Sequence, residues 1–267
     1  MVSLTVLASG SKGNSSVLAT SRTCILVDCG LSCRETLRRM VAAGEDPLKI
    51  SAIVISHEHS DHVNGLWVLA RRLNVPVYMT GATYAEWQYW ARDKETRTKP
   101  HLDKIEIFHA GKAFTISDVT VSPFTIPHDA IDPVGFTFRA EGVKIGIVTD
   151  LGYMPRSVMD NICGCDGLMI ESNHDLEMLR GGPYPWQVKQ RVMSRTGHLS
   201  NAALAQFFSS DYDGSAAFLV LAHLSEANNH PDLARSAAEQ ALASRQDLLR
   251  NRLTLASQHA PLAPIRL

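Results

Sequence analysis

The spacing of apolar and polar positions divides the chain into short strand-like and helix-like segments. Residues 2–8 (VSLTVLA), 15–20 (SSVLAT) and 24–28 (CILVD) are apolar runs punctuated by Gly, Ser and Asn, the pattern of three strands. The SGSKGNS segment between the first two lacks the G-x-x-x-x-G-K-[ST] order of a nucleotide P-loop, and reads equally as a hairpin connection or as a loop lining a site. Ser32-Cys33-Arg34-Glu35 has capping-box spacing. The following ETLRRMVAAG predicts a helix of about three turns, with Leu37, Met40 and Val41 on one face and Gly44 as the stop. SAIVIS (51–56) is a buried-looking strand, after which Leu66, Leu69, Ala70 and Leu73 repeat at helical spacing. VPVYMT (75–80) predicts another strand, and TYAEWQYWARDKE a helical stretch whose Tyr84, Trp87, Tyr89 and Trp90 are expected to pack together, a stacking platform being the lesser alternative.

From 104 to 149 the period becomes that of strands: KIEIFH, KAFTIS, VTVSPFTIP, VGFTFRA and VKIGIVT predict a β-meander. Beyond it, PRSVMDNI, PWQVKQRVMS, NAALAQFF and PDLARSAAEQALA are helical, and GLMIES, AAFLVLA and RLTLAS are strands; Pro231 suits the first turn of its helix. Strands followed by alternating strands and helices in each half predict an α/β (α+β) architecture of two sheets with helices outside. No linker rich in Pro, Gly or Ser interrupts it, so residues 1–267 are expected to form one domain.

Composition narrows the class. With 45% apolar and 20% charged residues the chain is ordinary for a globular protein, and its formal charge of -1 excludes a surface basic throughout. A local basic site remains open. MVSLTVLASGSKG has no basic n-region, and no run approaches the roughly 18 apolar residues of a membrane span, so a cytoplasmic protein without membrane association is expected. Five cysteines without a signal peptide point to free thiols; Cys24, Cys29 and Cys33 admit a zinc or iron–sulfur reading as the lesser alternative.

The chemistry concentrates in His57-Glu58-His59-Ser60-Asp61-His62, which fills the loop between a strand and a helix. Three imidazoles and a carboxylate in six residues suit a first-row divalent ion such as Zn, Mn or Fe better than calcium. Residues two apart in a turn converge on one ion while Asp61 and His62 point elsewhere, which suggests two ions. His128, Asp150 and His223 each follow a strand-like run, as His57 does, so all four strand ends can share one edge.

This series, H-x-H-x-D-H followed by His128, Asp150 and His223, resembles the ligand set of the metallo-β-lactamase-like hydrolase superfamily. The segments ASGSKGNSS, ILVDCG, ISHEHSDH, TDLGYM, ESNHD, GHLSN and AHLSEANN are similar to its YycJ/WalJ-type branch and run from residue 8 to 229. The resemblance implies a four-layer αββα sandwich in which His57, His59 and His128 hold one divalent ion, Asp61, His62 and His223 a second, and Asp150 bridges them. A hydroxide shared by the two ions would be the nucleophile. Asp61 has two open readings, as ligand and as the group that orients or deprotonates that water.

The fold leaves the substrate open. Residues 178–210 carry Arg180, Lys189, Arg191 and Arg195 without one Asp or Glu, interleaved with Tyr184 and Trp186, and so predict a phosphate track with stacking residues. Arg191 and Arg195 are the expected substrate contacts. Ser200 either caps the helix from Asn201 or, with His198, binds a phosphate, His198 protonating the leaving oxygen. Nucleic acid is therefore the expected substrate and an exonuclease the expected activity. The alternatives are a small-molecule hydrolase acting on cyclic phosphodiesters, thioesters or lactones, and a metal-stabilised regulatory protein without catalysis.

Overall fold

The computed structural model describes residues 1–91, 100–243 and 252–267. Its strands form two sheets, numbered here in chain order. The first contains β1 (Ser3–Ala8), β2 (Ser15–Ala19), β3 (Cys24–Val27), β4 (Ala52–Val54), β5 (Val77–Thr80), β6 (Ile105–Phe108) and β14 (Ile265–Arg266), in the order β14-β1-β2-β3-β4-β5-β6. The second contains β7 (Phe114–Ile116), β8 (Val119–Thr125), β9 (Val134–Ala140), β10 (Val143–Val148), β11 (Gly167–Glu171), β12 (Phe218–Ala222) and β13 (Arg252–Leu255), in the order β13-β12-β11-β10-β9-β8-β7. Each sheet begins with antiparallel pairs and turns parallel, from β3 onward in one and from β10 onward in the other. Parallel neighbours need long crossovers, which here carry helices.

Three buried clusters define four layers. Leu4, Val27 and Val54 meet Phe136, Phe138 and Val220 between the sheets. On the outer face of the first sheet, Leu26 and Ile53 pack with residues of α1 (Cys33–Ala42), α3 (Leu66–Leu73) and α4 (Gly81–Trp90): Met40, Leu66, Leu69 and Trp87. On the outer face of the second, Ile170 and Leu221 pack with residues of α5 (Arg156–Ile162), α8 (Asn201–Ser210) and α9 (Pro231–Leu242). Strand β3 is apolar at every position because Ile25 and Val27 face one core and Cys24 and Leu26 the other. The result is the αββα sandwich.

Some expectations need correction. KIEIFH is not part of the meander; as β6 it pairs parallel with β5 in the first sheet, Val77 opposite Ile105, because an alternating pattern encodes a face and not a partner. Val41 is 65% exposed, and the inner face of α1 is Cys33, Thr36, Arg39 and Met40. Arg39 reaches inward to the carbonyls of Leu7 (3.0 Å) and Gln258 (2.8 Å). Only half of the capping box forms: Ser32 accepts from the Glu35 N–H, while the Glu35 carboxylate turns to Arg38 and Arg39. The expected helix TYAEWQYWARDKE ends its described course near residue 91, and 92–95 lie outside the described residues. Four of the five cysteines are buried, burial pushing Cys24 and Cys165 up to about 12, and no cysteine joins a converging donor group among the described residues. No described helix is long and apolar enough to cross a membrane.

Candidate metal centre

The site forms where strands of both sheets end. Strand β4 runs into His57–His62, whose last four residues make or border the single turn α2 (Ser60–Val63). Strand β8 leads to His128, β10 to Asp150, β11 to Glu171 and β12 to His223. Asp150 (φ 61°) and His223 (φ 54°) adopt the left-handed backbone, as does Asp28 (φ 59°) after β3. For a non-glycine residue this conformation is uncommon, and a sparsely populated backbone of this kind costs about 1–3 kcal/mol, so three such residues at strand ends around one site mark a place where side-chain direction outweighs backbone comfort. Gly30 makes the packing possible: a Cβ there would lie 1.7 Å from the Asp61 carbonyl oxygen and 2.7 Å from the Asn14 nitrogen.

All seven residues expected as ligands come together. His57, His59 and His128 form one donor group, and Asp61, His62, Asp150 and His223 a second, with donor atoms within 4.8 Å of one another in each. In the first, His128 Nε2 is 3.2 Å from His59 Nδ1. In the second, His62 Nε2 lies 3.1 Å from Asp150 Oδ2, and His223 Nε2 lies 3.6 Å from Asp61 Oδ2. Asp150 stands between the groups, its Oδ1 3.8 Å from His128 Nε2.

The donors fit divalent ions. His57 Nε2, Asp150 Oδ2 and His223 Nε2 are buried without a hydrogen-bond partner. Leaving three buried polar atoms unsatisfied in one cluster is costly, and a cation that accepts their lone pairs removes the cost. Four of the five imidazoles have the opposite ring nitrogen engaged. His62 Nδ1 meets Asp28 Oδ2 at 2.8 Å, His57 Nδ1 meets the Ser56 hydroxyl at 3.0 Å, His128 Nδ1 meets the Gly197 carbonyl at 3.2 Å, and His223 Nδ1 meets Glu171 Oε1 at 2.7 Å. Partners on Nδ1 set the tautomer that turns Nε2 inward, as in ligating histidines.

Charge follows the same plan. Burial holds the His57 imidazole well below the usual histidine range, with His62 adding to it. Burial opposes the ionised forms of Asp61 and Asp150, yet the surrounding imidazoles outweigh it and hold both carboxyls well below theirs. His62 and His223 are raised, burial being outweighed by Asp150 together with Asp28 and Asp61 for the one, and with Asp61 and Glu171 for the other.

Asn14, Asp28, Ser56 and Glu171, none of them a predicted site residue, hold the expected ligands in place. Asp28 ties His62 to Ser56, whose N–H and hydroxyl donate to it. The Asn14 amide donates to Asp61 Oδ2 (3.1 Å) and packs 3.0 Å from His62 Nε2, so SGSKGNS lines the site. Glu171, fully buried, accepts from His223 and His198 on Oε1 and from the N–H groups of Leu151 and Leu199 on Oε2, and is lowered to about 2, burial being outweighed by His198 and His223. The signal for Asp28 and Glu171 was present: each is an acid at the end of an apolar run, like Asp150. The segment asparagines act as staples. Asn173 donates to the His223 carbonyl, and Asn229 to the carbonyls of Ser172 and Asn173.

The basic stretch is less free than its composition suggested. Lys189 is buried and donates to the Arg180 carbonyl, Arg180 pairs with Glu177, Arg191 pairs with Asp129, and Arg195 lies over the Tyr153 ring at 4.2 Å. The acids come from outside the stretch. Ser200 is 9% exposed and its hydroxyl accepts from the Ala203 N–H, so the cap is its observed role. His198 faces the centre, Nδ1 on Glu171 at 2.9 Å.

Fold and donor set together place the chain in the metallo-β-lactamase-fold superfamily, and the description "Beta-lactamase superfamily domain" matches residues 23–223. It is 37% identical to the exodeoxyribonuclease YycJ of Bacillus anthracis, covering 89% of this chain and 88% of that one. Identity to the exodeoxyribonuclease WalJ of Streptococcus pneumoniae (strain D39 / NCTC 7466) is also 37%, over 86% and 84%. The metallo-β-lactamase-fold protein YhfI from Bacillus subtilis superimposes with a TM-score of 0.69 at 16% identity, covering 98% and 99% of the two chains. Within the superfamily the chain is a YycJ/WalJ-like protein, a metal-dependent hydrolase.

Proposed function

We propose that the chain is a two-ion phosphodiesterase that degrades nucleic acid from an end, DNA before RNA. The observation that carries this reading is the pair of donor groups with Asp150 between them. Two relatives that are both exodeoxyribonucleases, each matching more than four-fifths of the chain, support the substrate class.

His57, His59 and His128 would hold one divalent ion, Asp61, His62 and His223 the other, and Asp150 both; Zn, Mn and Fe suit the mixed imidazole and carboxylate donors. Two such ions supply a water of lowered pKa and positive charge for the oxygens of an in-line displacement at phosphorus. The chain's own groups do the rest. Asp61, held by Asn14, stands at the edge of the centre where it can orient the attacking water or take its proton. His198, fixed through Nδ1 by Glu171, keeps Nε2 for a proton to the leaving oxygen. Asp129 Oδ1 is 3.5 Å from His128 Nε2, and its other oxygen holds Arg191, so an incoming phosphate competes with Asp129 for that guanidinium. Arg195 belongs to the loop packed against Gly152, two residues beyond Asp150, and would meet the next phosphate.

Neutralisation of the basic stretch by Asp129 and Glu177 favours a second reading, a phosphodiesterase of small substrates. A panel of 5′-labelled DNA, 5′-labelled RNA, bis-p-nitrophenyl phosphate and a β-lactam, run with Mn, with Zn and without metal, separates the two. Metal-dependent shortening of DNA is expected. Turnover of the small diester with both nucleic acids intact sinks the nuclease reading.

A further inference from the structure

The aromatic residues of α4 were expected to pack together, and they do so as two pairs, Tyr84 with Trp87 and Tyr89 edge to face with Trp90 at 5.2 Å, the second pair exposed. Tyr84 and Trp87 stack with centroids 6.1 Å apart and Trp87 is buried, whereas Trp90 is 71% exposed. Across from it on α3, Trp67 and Val68 are also exposed. Between the helices runs a groove of about 760 Å³, walled by Trp67, Val68, Trp87 and Trp90 and opening at one end onto Glu58, His59 and Asp129. One expected metal ligand, His59, is thus part of its lining.

We infer that this groove takes the unpaired terminal bases of a single-stranded nucleic acid whose scissile phosphate lies at the metal centre. The inference rests on the phosphodiesterase reading above and adds to it where the bases go. The chemistry of its described lining suits bases better than phosphates. No Lys or Arg is among its described lining residues, and Glu58 and Glu86 repel an anion. The same carboxylates accept hydrogen bonds from exocyclic amino groups. Glu58 has a place for one: Oε1 takes the Ile131 N–H at 2.9 Å, while Oε2 is buried with no partner. Glu86 receives the Trp90 indole N–H and so holds that ring in orientation. Among the described residues the cations stand outside, the Arg71 guanidinium 5.1 Å from the Trp67 ring centre and Arg191 on Asp129, where a sugar-phosphate backbone would pass. Aromatic walls with cations beside them are the makeup of single-strand sites, and the volume falls in the range of ligand pockets.

The test uses metal-loaded full-length protein and a phosphorothioate single-stranded oligonucleotide, so that binding is read independently of cleavage. A strand of the same length without bases serves as the control. Trp67→Ala and Trp90→Ala are each expected to weaken binding of the oligonucleotide by about 5- to 150-fold, from the energy of one stacked base. Trp67→Phe and Trp90→Phe should recover most of it, and the baseless strand should bind wild type and variants alike. Equal binding of the normal strand by wild type and both alanine variants overturns the proposal. So does equal loss on both strands, which marks a structural role, or a shift of either variant from dimer to monomer in light scattering, which marks a second copy as the occupant. A protein that binds the strand in this way but cuts no DNA refutes the nuclease reading and leaves the groove assignment supported.

Discussion

Glu171→Gln keeps the size of the side chain and removes one negative charge at a point where four hydrogen bonds converge. His198 and His223 donate to Oε1 at 2.9 and 2.7 Å, and the Leu151 and Leu199 N–H groups to Oε2 at 2.7 and 3.0 Å. If the glutamine oxygen stays with the two N–H groups, its amide nitrogen faces the two imidazoles and can only donate. His223 must then move its proton to Nε2, the atom that faces the centre, and cannot ligate without losing it. Loss of a hydrogen bond that orients a ligand typically lowers metal affinity 10- to 100-fold, about 1.4–2.8 kcal/mol. The effect should be one-sided, because none of the hydrogen bonds to Glu171 comes from His57, His59 or His128. Chelator competition on wild type and variant, with bound metal counted by mass spectrometry, should show one ion held as before and one held 10- to 100-fold more weakly. Unchanged affinity for both ions, or equal weakening of both, refutes the reasoning.

Other expectations follow from single contacts. Gly30→Ala places a methyl group against the Asp61 carbonyl and should cost about 3 kcal/mol or more, as strong overpacking does, read as a lowered urea midpoint together with lost metal; a variant as stable as wild type contradicts the close approach. His174 is buried and lowered to about 4, chiefly by burial, from an ordinary 6.5. The unfolded chain therefore binds the extra proton first, stability is full above pH 6.5, and on the order of 3 kcal/mol is lost as pH falls from 6.5 through 4. In the metal-free protein, His174→Gln should flatten that part of the stability curve, and an unchanged curve rejects the assignment. Arg195→Ala should reduce the salt dependence of single-stranded DNA binding by about 0.7 in log–log slope, the value for one phosphate contact; an unchanged slope removes Arg195 from the track.

Much of the site was legible because its ligands obey a simple rule. Strands β4, β8, β10 and β12 each lead within three residues to His57, His128, Asp150 or His223, and the ends of strands collect at one edge. The same rule applied to CILVD and GLMIE would have found Asp28 and Glu171, which hydrogen-bond the imidazoles of His62 and His223. Partners were less legible. Nothing in 178–210 shows that Asp129 and Glu177 neutralise its arginines, since both acids lie outside the stretch. Periodicity placed β6 as a strand but could not tell which sheet it extends. Trp87 and Trp90, three residues apart on one helix, have opposite fates because only Trp87 meets the core.

On the proposed two-ion reading, hydrolysis of DNA needs both ions. Metal-free protein titrated with Mn or Zn, with single-turnover shortening of 5′-labelled DNA followed against bound metal, tests it directly. Activity should stay near zero through the first bound equivalent and rise with the second, and Asp150→Asn should abolish that rise. Full activity at one bound ion, or intact DNA with two ions bound, contradicts a two-ion nuclease.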